Sequence, residues 1–225
     1  MKHFNMLTNT LFAIGCALLL GGKSFAEPMN IGQLVTELQT YQRSGEYDHE
    51  FSAVIAQAET FITNKVNSNK QSDHPQKLAL VLDIDDTSLS NYDHLAARHF
   101  CINRDQFNND ILQANDPVLA PTLALYQAAL KQGVAVFFIT GRPDSLHKAT
   151  VKNLKTAGYT DWAGIYYRPK TDTVTSVIPY KTQARATITA AGYTILASIG
   201  DQQSDLAGNN VGEAFKVPNP FYFLP

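Results

Sequence analysis

The chain has 225 residues, 44% of them hydrophobic and 17% charged, with a formal net charge of −2. This is the composition of one globular domain with a real core, with room for a small accessory part. With no basic patch along it, nucleic-acid polymer and anionic membrane are excluded as main partners.

The first residues read as a separate object. Lys2 and His3 open a weakly basic start, and Leu11 to Gly22 (LFAIGCALLLGG) is an apolar run of signal-peptide length. Ser24 and Ala26 then occupy the small positions of a cleavage site. The run is short for a transmembrane anchor. It also continues past Cys16 to Leu20, where a lipidated chain should turn polar. The expectation is a cleaved signal over residues 1–26 and an exported protein, periplasmic or secreted. Cleavage removes Lys2 and Lys23 and no acid, so the charge of −2 becomes −4. Of two cysteines only Cys101 is left, so the mature chain has no internal disulfide and is stabilised by its core.

In residues 30–45, Ile31, Leu34, Val35, Leu38 and Tyr41 recur at helical spacing. SGEYD interrupts them, and Phe51, Val54, Ile55, Ala58, Ile62 and Val66 predict a second helix. Asn67 to Gln76 reads as a polar loop. From Lys77 short apolar strands alternate with helices. The strands are LALVLDI (78–84), VAVFFIT (134–140), GIYYR (164–168), TILASIG (194–200) and a less pronounced fifth at AFKVP; the helices lie near 117–132, 144–157 and 181–191. Such alternation predicts an α/β fold, a Rossmann-like parallel sheet covered by helices on both faces. Residues 88–116 hold two short helical stretches and form a candidate cap over the strand ends. Residues 27–225 are thus expected to be a single domain, with 30–70 as an N-terminal helical layer.

Parallel sheets bind ligands at the carboxyl ends of their strands. Four such places carry unusual polar residues: DIDDT (Asp83 to Thr87), TGRP (Thr140 to Pro143), Lys181 at a helix start, and GDQQSD (Gly200 to Asp205). Brought together, Asp83, Asp85, Asp86, Asp201 and Asp205 repel. Two like charges about 4 Å apart cost on the order of 4 kcal/mol at a partly screened site, against a typical net stability of only about 5–15 kcal/mol. A hard divalent cation resolves the conflict, and all-oxygen ligation selects Mg²⁺, one per site, over zinc. Thr140, Arg142 and Lys181 supply hydroxyl and cationic groups for a phosphate. Any one of these stretches alone reads equally as a turn, a helix cap or a solvated charge; their ordered conjunction is the specific signal.

LVLDIDDTSLSN, FFITGRP, Lys181 and IGDQQSDLAG resemble the four motifs of the haloacid dehalogenase superfamily. LKTAGYTDWAGIYYRP and the ending FKVPNPFYFLP extend the resemblance to the exported acid phosphatases of its subfamily IIIB, over roughly residues 30–225. The resemblance implies that Asp83 is the nucleophile and Asp85 the general acid and base. It implies that Asp83, the backbone carbonyl of Asp85 and Asp201 hold the metal, with Asp205 acting through water or by orienting neighbours. Thr140, Gly141, Arg142 and Lys181 are then the phosphate-binding group, with Arg142 either contacting substrate or pairing with an acid. Asp86 has three readings: bonding a backbone turn, setting the cap's position, or lying solvated in a loop. The implied activity is a Mg²⁺-dependent acid phosphatase acting on small phosphate monoesters. The alternatives are a nucleotidase, a phosphotransferase to an alcohol, and a non-catalytic storage protein. Tyr92 and Phe100 are candidates to stack on a nucleotide base or equally to be core. A homo-oligomer is left open.

Overall fold

Leu78–Leu82 are apolar on every position, and the chain folds accordingly: the strand they form is covered on both sides. In the computed structural model, which describes residues 28–170 and 176–224, this strand β1 (Lys77–Leu82) is the centre of a five-stranded sheet. The others are β2 (Ala135–Pro143), β3 (Gly164–Arg168), β4 (Tyr193–Gly200) and β5 (Glu213–Lys216). Their order is β3-β2-β1-β4-β5, and all pairings are parallel. The expected signal over 1–26 lies outside the described residues.

Two helices open the described chain, α1 (Ile31–Arg43) and α2 (Glu46–Lys70). Asn30 caps α1, its side chain accepting from the Gly32 N–H at 2.9 Å. The break falls at Ser44 and Gly45, where Gly45 adopts φ 81°, a left-handed angle that glycine reaches without penalty. Helix α2 buries Tyr47, Phe51, Ile55, Ala58, Ile62 and Val66 as one stripe. It also runs on to Lys70, into the stretch expected to be a loop. The reason lies beyond periodicity. Asn69 is tied to Gln76 by two hydrogen bonds of 2.8 and 3.0 Å, which fasten the polar end of the helix to the entrance of β1.

Leu78, Leu80 and Leu82 face one core, shared with α2 and with α5 (Ala120–Lys131). Ala79 and Val81 face the other, shared with Ala184 and Ile188 of α7 (Ile178–Ala190). The chain between β2 and β3 makes a short 3-10 turn (Asp144–Leu146) and α6 (His147–Thr156). Residues 88–116 contain α3 (Tyr92–Ala97) and α4 (Arg104–Gln113), and α8 (Gln203–Leu206) follows β4. Because β2 and β4 flank β1 on opposite sides, the carboxyl end of β1 is where the connections diverge, and a crevice opens there.

Candidate active site

Strand β1 stops at Leu82, two residues short of the expected end, because the backbone turns on Ile84. The N–H groups of Thr87, Ser88 and Leu89 all donate to the Ile84 carbonyl, at 3.4, 2.9 and 2.9 Å. Ile84 itself is buried, and Asp83 and Asp85 on either side of it both line one cavity of about 330 Å³. Lys181, Asp201, Asp205, Gly141 and Arg142 line the same cavity. The four strand-end stretches therefore meet.

They meet as two charge groups. In the first, the Lys181 ammonium donates to Asp83 Oδ1 at 2.8 Å and also to Asp205. Oxygens of Asp83, Asp201 and Asp205 all lie within 4.8 Å of one another, and all three residues are buried. Asp205, expected to stand one step back, is in the cluster itself. Its other oxygen accepts from the Gln202 N–H at 2.9 Å in a capping box at the start of α8. Asp201 is held on one oxygen by Gln202 Nε2 at 2.7 Å and Asn219 Nδ2 at 2.6 Å, and on the other by Thr87 Oγ1 at 3.3 Å. Burial, then the charge of Asp205, pushes the carboxyl groups of Asp83 and Asp201 above the usual range. Burial works against the Lys181 charge, but Asp205 and Asp83 outweigh it and hold the ammonium above the usual lysine range.

In the second group, Asp85 turns away from the first. The Arg142 Nε donates to its two oxygens at 3.1 Å and Nη2 to one of them at 2.7 Å. Of the two expectations for Arg142, the structure shows the pairing with an acid. Thr140 is fully buried and is not among the residues lining the cavity; its hydroxyl oxygen accepts from the Arg142 N–H at 3.1 Å. Asp86 is fully buried, which removes the reading of a solvated loop acid. Its carboxylate accepts from the Asn91 N–H at 2.9 Å and Nδ2 at 3.0 Å, so it fastens the turn to the start of α3. Burial, with Asp201 nearby, raises its carboxyl to about 7.

The remaining cavity wall mixes polar and cationic side chains, among them Arg104, Asn108, Arg168 and Lys170, with apolar ones. Ile102, Phe107 and Ile111 come from the stretch around α4, and Tyr222, Phe223 and Leu224 from the carboxyl-terminal segment. Tyr92 and Phe100 do not reach it: both pack against Phe221, at centroid distances of 5.2 and 5.5 Å, as core. Sequence reasoning did not single out Asn91, Asp116, Gln202 or Asn219. Gln202 and Asn91 lie within the quoted stretches GDQQSD and LVLDIDDTSLSN, where the acids drew the chemistry, and Asn219 is set between Pro218 and Pro220, while nothing local marks Asp116.

Acid phosphatase 1 of Solanum lycopersicum is 33% identical over 148 residues, 64% of this chain and 58% of that protein. The stem 28 kDa glycoprotein of Glycine max is 35% identical over 159 residues, 67% of this chain and 61% of that protein. The chain thus spans about three-fifths of the length of these curated relatives. Among solved structures, the class C acid phosphatase from Bacillus anthracis superposes with a TM-score of 0.65 over 86% of each chain, at 22% identity, so the two share a fold. Residues 26–225 match the family described as HAD superfamily, subfamily IIIB (acid phosphatase). The chain belongs to the acid phosphatases of haloacid dehalogenase subfamily IIIB.

Proposed function

We propose that the protein is an exported, Mg²⁺-dependent phosphatase that hydrolyses small phosphate monoesters through an aspartyl-phosphate on Asp83. The observation that carries this reading is the pair of charge groups around one cavity: a lysine-bridged carboxylate cluster containing Asp83, and, apart from it, Asp85 held by Arg142. One group suits attack and metal binding, the other proton transfer.

The cluster fits a divalent cation. Among the described residues, three buried carboxylates share one ammonium, so their full ionisation leaves an excess of two negative charges beside neutral donors only. The donors are all carboxylate oxygens, the set that hard Mg²⁺ takes. Asp83, Asp201 and Asp205, with the backbone carbonyl of Asp85, would hold it directly or through water. Bound there, the ion would neutralise charge on the phosphoryl oxygens.

The chain's own residues account for the rest. An Asp83 oxygen attacks phosphorus, the bond from phosphorus to the ester oxygen breaks, and Asp85 gives its proton to that oxygen. Water then attacks the phosphorus of the aspartyl-phosphate, and Asp85 takes the water's proton. Phosphate leaves and the Asp83 carboxylate is restored. Lys181, fixed beside Asp83, stabilises the phosphoryl oxygens as charge redistributes, and the backbone at Gly141 and Arg142 borders the same space.

Release of phosphate from p-nitrophenyl phosphate, with and without EDTA, tests the reading. EDTA should abolish turnover and added Mg²⁺ restore it. Asp83→Asn, which keeps shape but loses the nucleophile, should lower kcat by several orders of magnitude. Turnover that survives either change would refute the mechanism.

A further inference from the structure

Arg142 has a buried guanidinium, its side chain 1% exposed, and among the described residues three accept hydrogen bonds from it. Asp85 takes its Nε and Nη2, as described. Nη2 also donates to Asp116 Oδ2 at 3.3 Å, and Nη1 donates to Thr150 Oγ1 of α6 at 3.3 Å. Asp116 in turn is clamped at its backbone: its N–H donates to Asn153 Oδ1 and Asn153 Nδ2 donates to its carbonyl, both at 2.9 Å. Its other carboxylate oxygen lies 3.5 Å from His94 Nε2 on α3. The Asp116 side chain is 0% exposed and does not line the cavity, so substrate does not meet it.

A proton donor acts only if it is aimed. The planar fork of a guanidinium fixes the plane of the carboxylate it grips, but the arginine stem is itself a freely rotating chain. Asn91 Nδ2 also donates to Asp85 Oδ1, at 3.1 Å, but Arg142 makes three of the four contacts to this carboxylate, so the direction of Asp85 depends chiefly on whatever holds Arg142. Asp116 and Thr150 hold the fork on its far side. Asp116 also shares the guanidinium charge with Asp85.

We infer that Asp116 and Thr150 are positioning residues for proton transfer: they aim Arg142, and Arg142 aims Asp85. The inference rests on Asp85 being the acid of the proposed mechanism. It is separable by leaving group. The phenolate of 2,4-dinitrophenyl phosphate departs without a proton; the alkoxide of glycerol 2-phosphate does not. kcat/KM on both substrates, with thermal melts to verify folding, should be measured for the native chain, Asp85→Asn, Asp116→Asn and Thr150→Val. Asp85→Asn should lose about 10²–10⁴-fold more on the alkyl ester than on the aryl ester. Asp116→Asn should lose about tenfold more on the alkyl ester, part of that acid catalysis. Thr150→Val, which removes one hydrogen bond and no charge, should lose about fivefold more. Equal losses on the two esters in either folded variant, with Asp85→Asn still selective, overturn the inference. Should Asp116→Asn not fold, Thr150→Val alone decides it. An unselective Asp85→Asn overturns the assignment of the acid instead, and the inference falls with it.

Discussion

Gly200 ends β4 and is followed at once by the Asp201 carboxylate. A Cβ at this position would stand 2.3 Å from both Cβ and Oδ2 of Asp205. The glycine is what lets α8 fold back far enough to bring Asp205 beside Lys181. Gly200→Ala should therefore displace the Asp205 carboxylate. Such overpacking typically costs about 1–3 kcal/mol, read as a lower thermal midpoint, and Mg²⁺ affinity by titration calorimetry should fall with it. An alanine variant that binds Mg²⁺ as tightly as the native chain would show that Asp205 does not depend on this close approach. Asp86 illustrates the complementary case. It adopts φ 49°, which aspartate tolerates better than most residues, and its buried carboxylate is spent on Asn91. Asp83, Asp85, Asp201 and Asp205 were legible in the sequence because each sits in a short carboxylate pattern beside an apolar run. Asp116 was not, because its partner Arg142 is 26 residues away and nothing local marks the pair.

The carboxyl-terminal segment behaves as an element although it has no regular structure. Phe221 is buried against Tyr47 of α2, Tyr92 of α3 and Phe100, with ring centroids 5.5, 5.2 and 5.5 Å away. Two residues earlier Asn219 holds Asp201, and Gln202 binds both Asp201 and the Leu224 N–H, the latter at 3.0 Å. The segment thus joins the helical layer, the stretch around α3 and the carboxylate cluster. Phe221→Ala should destabilise the fold by about 3–5 kcal/mol, the usual range for a buried Phe. Urea unfolding measures this; a loss under 1 kcal/mol would mean the segment is not part of the core. The strands were readable because runs buried on both faces need no partner to be recognised. The last turn of α2 was not, since it is held by Asn69 and Gln76 rather than by an apolar stripe. Tyr92 and Phe100 likewise became core only once Phe221 arrived beside them.

At the scale of the whole molecule, stability and function meet in the same charges. The cluster keeps three carboxylates close together in a buried site, so a cation that binds only the folded state should stabilise it. At 100 times its dissociation constant a ligand contributes about 2.7 kcal/mol. For a chain of this size that is a rise of about 5–10 °C in Tm. Differential scanning calorimetry with and without Mg²⁺ should show this rise, and Asp201→Asn should remove most of it. An unchanged midpoint in Mg²⁺ would count against a metal in the cluster. The order of helices and strands, the parallel sheet and the four charged strand ends were determined by the sequence alone, because hydrophobic runs and close carboxylate spacings are properties of short stretches. Which oxygen faces which cation was decided by tertiary structure. Lys181 bridges Asp83 and Asp205, Arg142 turns to Asp85 and Asp116, and Asn219 returns to Asp201. Those partners come from separate elements, and they become neighbours only when the sheet and its helices pack and water is expelled from between them.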